Sequence, residues 1–195
     1  MASQIDIINR GLDHLGTNRI ASLSENNTAA RTMSGLYDSV RDARLRSHPW
    51  NFAMRRKELA AKVVKPAFGY SEYFAQPADC LRVYEVFDAN LIPIDEWDIE
   101  GDDEETVIAC NCGGPIYIRY IARIVNTERY DVMFNELLSA DLALAGENKI
   151  ADMADTEAQR IASIYAKWEM KTKGVDGQEG TPDELPTESW IDTRY

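Results

Sequence analysis

The sequence predicts an α+β fold: a four-helix frame, an inserted antiparallel β-rich subdomain and an extended C-terminal arm. Three observations predict it. Apolar residues recur at helical spacing up to about position 48 and again from Thr127, whereas between those points the period drops to two. A chain of 195 residues, 45% hydrophobic and 28% charged, is long enough and apolar enough to bury a core of that size. The closing stretch GQEGTPDELPTESWIDTRY combines prolines and acids with almost no aliphatic residues, yet carries Trp190, Ile191 and Tyr195. These features divide the chain into a helical domain (1–49 and 126–174), a β-rich insertion (50–125) and an arm (175–195).

The first helix is expected from Ser3 to Leu15, with Ile5, Ile8, Leu12 and Leu15 on one stripe, Ser3 as N-cap and Gly16 as stop. A second runs from Thr28 to Ser47 with Asn27 as cap; Ala30, Met33, Tyr37 and Val40 form its stripe, and His48 closes it before Pro49. Period-two alternation then places Trp50, Phe52 and Met54 on one strand face, and it returns between Leu81 and Phe87. Residues 106–125 read as a hairpin turning at Cys112–Pro115. On its long second strand Ile116, Ile118, Tyr120, Ala122 and Ile124 share a face; the other face is amphipathic, as for a strand covered on both sides. Helical spacing resumes at Thr127, with Tyr130, Phe134, Leu137, Asp141 and Leu144 aligned. A last helix starts near Asp155, where Thr156 and Gln159 have capping-box spacing, and Gly174 is its expected stop.

The net charge of −12 argues against an outright nucleic-acid binder, because phosphate contacts need Lys and Arg. The charge is uneven, however. Arg41, Arg44, Arg46, Arg55, Arg56, Lys57, Lys62 and Lys65 crowd positions 41–65, and eight acids occupy 95–105, including Asp102, Asp103, Glu104 and Glu105. Surfaces of opposite sign suit a protein that meets copies of itself or two partners; two solvated faces account for the charge equally well. No window reaches the roughly 18 apolar residues of a membrane span. The start MASQIDIINRGL lacks the basic and apolar blocks of a signal peptide, and three sparse cysteines fit a reducing compartment.

No catalytic constellation, metal site or cofactor cradle is expected. His14 and His48 have structural settings, beside core leucines and before a proline. Cys110 and Cys112 lack the second ligand pair of a zinc site. The run DEWDIEGDDEE misplaces the glycine of a calcium loop by one position, which leaves a solvated acidic loop between strands. The aromatic end of the arm points to ordering on another chain, with a return onto its own domain as the other reading.

Several segments, in order, resemble the tail tubular protein A, or head-to-tail adaptor, family of short-tailed (podovirus) bacteriophages. They are RDARLRSHPWNFAMRRKEL (41–59), YSEYFAQPADCLRVYEV (70–86), IYIRYIARIVNTERYDVMFNELLSADLALA (116–145) and the closing helix with YAKWEM. The resemblance implies a structural virion protein without enzymatic activity or cofactor. It implies a ring, usually a dodecamer, that joins the portal protein to a tail nozzle of tail tubular protein B type, located at the head-tail junction of the virion. Genomic DNA would pass through the lumen without specific binding, and no membrane would be involved. It further implies that Trp190, Ile191 and Tyr195 dock the arm on the portal. The charged stretches then become subunit-interface candidates: Arg41, Arg44, Arg46, Arg55 and Arg56 against Asp102, Asp103, Glu104 and Glu105. A head-completion or tail-terminator ring of a long-tailed phage shares this logic, and a small metal-dependent enzyme using the acidic run is the reading of a different class.

Overall fold

The computed structural model describes residues 2–101, 105–151 and 155–178. Along the chain lie α1 (Gln4–His14), α2 (Thr28–Ser47), β1 (Met54–Leu59), β2 (Glu72–Ala75), β3 (Cys80–Phe87), β4 (Trp97–Gly101), β5 (Thr106–Cys110), β6 (Ile116–Ala122), α3 (Val132–Ile150) and α4 (Asp155–Gln178). The fold is α+β, with all the strands between the second and third helices.

The helix starts follow from side-chain chemistry. Ser3 Oγ accepts the Asp6 N–H at 3.2 Å while the Asp6 carboxylate accepts the Ser3 N–H at 2.8 Å, a reciprocal cap on α1. Gly16, at φ +66°, turns the chain out of α1. Asn27 Oδ1 accepts the Ala30 N–H at 2.7 Å to start α2. Helix α3 is the hub, packed on α1, α2 and α4. Phe134, Leu137, Leu138, Leu142 and Ala143 are all buried, so α3 is covered around much of its circumference. Gly11 permits the close approach of α1, since a Cβ there would lie 2.9 Å from the Ser139 carbonyl oxygen.

Two helical boundaries differ from expectation. A 3-10 turn at Thr127–Arg129 precedes α3, which starts after the Asp131 cap. Gly174 does not end α4; the helix continues to Gln178. A glycine inside a helix costs about 1 kcal/mol, and contacts at Asp176 offset it. The Asp176 carboxylate meets His48 Nε2 at 3.0 Å and accepts the Asn51 N–H at 3.2 Å, and its carbonyl accepts from Asn51 Nδ2 at 2.5 Å. Residues 175–178 therefore belong to α4 rather than to an extended arm. The Thr156 side chain of the expected capping box lies outside the described residues.

The strands form two antiparallel three-stranded sheets, β1-β6-β3 and β2-β5-β4. The expected 106–125 hairpin does not form. Strands β5 and β6 are each the middle strand of a different sheet, so both edges of each are already hydrogen-bonded to other strands. The segment between them, which includes a cis Gly114–Pro115 bond, crosses from one sheet to the other. A Cβ on Gly114 would sit 2.7 Å from the buried Phe74 ring.

The expected Trp50–Phe52–Met54 strand face is also replaced. Trp50 leads into a 3-10 turn at Asn51–Ala53, and its carbonyl accepts the N–H groups of Ala53 and Met54 at 2.9 and 3.1 Å. Those donors are satisfied locally, so the ladder begins only at Met54. In β3 the pairing slips between Val83 and Glu85, and the buried residues are Val83 and Val86, three apart rather than two. The acid-rich run is not simply a loop, since β4 occupies its middle and pairs with β5. On β6 the expected face is buried from Ile116 through Ile124.

Candidate interaction surfaces

The chain crosses between helices and sheets at an aromatic corner. The Trp50 ring is fully buried, edge-on to Phe134 at 5.3 Å and to His48 at 4.7 Å, and its Nε1–H donates to the Arg44 carbonyl at 3.1 Å. Phe52 and Tyr130 extend the cluster, and Tyr130 OH donates to the Ile124 carbonyl at 2.7 Å. Burial holds the Tyr130 hydroxyl far above its ordinary pKa, so it stays a proton donor. These residues flank both chain crossings, so the corner joins the helices to the sheets.

The basic stretch does not form one surface. Arg41 is only 4% exposed and is held by Asp38 (2.7 Å) and Asp42 (2.8 Å). Arg44 grips Asp141 through two nitrogens at 2.5 Å and reaches Glu169 at 2.9 Å, tying α2 to α3 and α4. Arg46 is exposed and donates to the Leu81 carbonyl. Arg55 pairs with Asp79 at 2.6 Å. Arg56 and Lys57 lie exposed on β1. Lys62 pairs with Glu105 at 2.6 Å, so the basic and acidic stretches meet within one chain. Asp98 and Glu100 accept from the hydroxyls of Tyr70 and Tyr73, at 2.7 and 2.8 Å. Asp102, Asp103 and Glu104 lie outside the described residues, as do Trp190, Ile191 and Tyr195.

The outer face of the β1-β6-β3 sheet was not singled out by sequence. It carries Arg56, Arg119 and Glu85 in one row across the three strands, then Glu58, Tyr117 and Phe87 in the next. Arg56 and Arg119 stand directly opposite each other, an unfavourable like-charge pairing. Arg119 has Glu85 at 2.6 Å on its other side and the Tyr84 ring at 5.7 Å. An open groove of about 480 Å³ follows this face from Arg56 to Leu91. Leu91 has φ +63°, rare for a bulky residue, within a turn where Asp88 Oδ1 accepts the Asn90 and Ile92 N–H groups at 2.8 Å. Those hydrogen bonds also lower the Asp88 pKa, that from Ile92 most strongly. The only signal in the sequence was Arg56-Lys57 and the amphipathic 117–125 alternation. A second apolar feature is the β1–β2 connection, where Val63 and Phe68 are almost wholly exposed.

Burial shifts two of the thiols and one imidazole. Burial pushes the Cys110 thiol to about 11, which suppresses the thiolate. Cys80 is likewise raised by burial and accepts a contact from Gln76 at 3.1 Å. His14 is pushed down by burial, and its Nε2 shares a 2.5 Å hydrogen bond with the Tyr165 hydroxyl. Among the described residues no group of three or more His, Cys, Asp or Glu side chains could hold a metal ion, and no helix is long and apolar enough to cross a membrane. No family model matches the chain, and no curated protein matches it.

Proposed function

We propose that the chain is a structural virion protein: a head-to-tail adaptor that assembles as a ring between portal and tail nozzle and lets DNA pass. The ordered set of segments resembling that family carries the reading. Its strongest support is the resemblance at 41–59, where an arginine-bearing helix breaks at His48–Pro49 and turns through Trp50 into a strand. That corner holds helical frame and β unit together, as a subunit that contacts different neighbours with different layers requires. Helix α4 is tied at Asp176 to the same corner, so residues 179–195 depart from beside it. In this reading Trp190, Ile191 and Tyr195 anchor that segment in portal pockets, and ring closure multiplies weak contacts between neighbours.

The inter-subunit charges of this reading are narrower than the sequence suggests. Arg41 and Arg44 are committed inside the subunit, which leaves Arg46 and Arg56 as the exposed arginines among the five candidates. The test is a binding assay of purified portal rings with the full chain and with a chain ending after Gln178, read by negative-stain microscopy. The expected result is an added ring with the full chain and none with the shortened one. Absence of any complex with the full chain would overturn the proposal.

A further inference from the structure

We infer that, in the free protein, residues 179–195 seat on the outer face of the β1-β6-β3 sheet of their own chain, with aromatics in its groove and acids on its arginines. Three observations carry this. The first is where the helix ends. Asp176 is bonded to Asn51, and Asn51 lines a hollow together with Met54, Arg55, Arg56 and Arg119. Arg56 and Arg119 also line the larger groove, so the hollow beside the end of α4 and the groove on the sheet face adjoin at these two side chains.

The second is charge. Arg56, Arg119 and Glu58 line the groove on this face; Glu85, in the same row, pairs with Arg119 at 2.6 Å, and Arg56 has Arg119 opposite it. The two arginines are forced opposite each other across the ladder, and the one acid in their row is taken by Arg119, which leaves Arg56 to be met by an added anion. An anionic segment relieves that repulsion. Residues 179–195 supply Glu179, Asp183, Glu184, Glu188 and Asp192 against Arg194 alone.

The third is apolar complementarity and reach. Phe87, Leu91 and Tyr117 form the far end of the groove, and Leu91 is 64% exposed there despite its strained backbone. Trp190, Ile191 and Tyr195 are the apolar residues of the segment's last third. Seventeen residues can span about 55 Å when extended, whereas the six residues of β1 cover only about 20 Å, so the aromatics reach that end with slack. Prolines at 182 and 186 suit an extended course over the sheet rather than a helix. The face then acts as a latch: it covers the anchors until a partner with deeper pockets competes for them.

The latch does not depend on what that partner is, so its failure would leave the portal assay untouched. The test compares amide NMR spectra of the full-length protein with those of a Trp190→Ala/Tyr195→Ala variant, at low and high protein concentration. Shift changes clustering at 56–58, 87–91 and 117–119 at both concentrations are the expected result. Arg56→Glu, on an exposed side chain, should shift the amides of 183–195 towards those of the double variant. Changes confined to 179–195 would overturn the inference, as would changes mapping to 63–68. Changes seen only at high concentration would also overturn it, by showing that the groove takes the segment of a second copy.

Discussion

Two pairs of basic residues on either side of Trp50, Arg41 and Arg44 on α2 and Arg56 and Lys57 on β1, have opposite fates. In α2, Arg41 and Arg44 point into the helical layer and are used up by Asp38, Asp42, Asp141 and Glu169. In β1, only a few residues on, Arg56 and Lys57 remain exposed. The difference lies in the neighbours each element meets. Helix α2 packs against α3, whose Asp141 projects from an otherwise apolar surface and needs a cation. Strand β1 is an edge strand whose outer residues face no acid of their own row except across β6. A run of like charge in sequence therefore says little about a surface until the direction of each side chain is known.

The largest expected effect comes from the corner that separates the two pairs. Trp50→Ala should cost about 3–5 kcal/mol through the cavity left beside Phe134 and the freed Arg44 carbonyl. For a chain of this size that lowers Tm by roughly 10 °C. Thermal unfolding checks it, and an unchanged Tm would mean that the two layers do not depend on this corner. Next comes Arg44. Its side chain is 13% exposed, and removing it strands Asp141 where α2 packs on α3, while Glu169 keeps Lys173 at 3.0 Å, so Arg44→Ala should cost about 3 kcal/mol. Arg44→Lys should fall between, since an ammonium cannot grip Asp141 with two nitrogens. Urea unfolding of both variants measures this, and losses below about 0.5 kcal/mol would place Arg44 with the surface arginines.

Much of the helical frame was legible because caps and breakers act locally. Asn27, His48 and Gly16 set their boundaries within a turn of themselves, and each stands where the sequence predicts. The sheets were less legible because strand partners are chosen over distance. Nothing near Cys112–Pro115 reveals that β5 is taken by β2 and β4, so a hairpin was the natural local inference. The bulge at Tyr84 hides in the same way, since alternation breaks only in the paired strand. Gly174 misled because the contacts that extend α4 to Gln178 come from Asn51 and His48, more than 100 residues away in sequence. Of the candidate surface, the arginines were visible as residues, but their division into buried ties and an exposed face was not. That division needs the α2–α3 packing.

A smaller effect should appear with pH on the helical side. The His14 side chain bridges α1 and α4, with its Nε2 hydrogen-bonded to the Tyr165 hydroxyl. Burial lowers its pKa below 6.5, opposed by Asp13 and assisted by Arg10. The folded state therefore refuses a proton that the unfolded chain accepts, so stability falls as pH drops below about 6.5 and levels off beneath the folded pKa. His14→Gln should remove that part of the slope. Parallel stability curves for the wild type and the variant between about pH 7.5 and 5 would show that the contact does not couple to folding.

The smallest expected effect sharpens the comparison most. Arg56→Ala removes a charge of the same type and nearly the same sequence neighbourhood as Arg44, yet stability should change by no more than about 0.5 kcal/mol. The sign is informative. Arg56 faces Arg119 across the ladder, and Arg119 keeps Glu85 on its other side, so losing Arg56 removes repulsion without orphaning a carboxylate. If residues 179–195 seat on this face, that small gain is cancelled by the loss of their acidic contacts. Urea unfolding at low and high salt separates the two contributions. Relief of repulsion makes the variant slightly more stable than wild type, and an occupied face makes it equal or slightly less stable, with the difference from wild type shrinking as salt screens the contacts. A cost near that of Arg44→Ala would mean that Arg56 has a buried acidic partner, and the contrast between helix and strand would collapse.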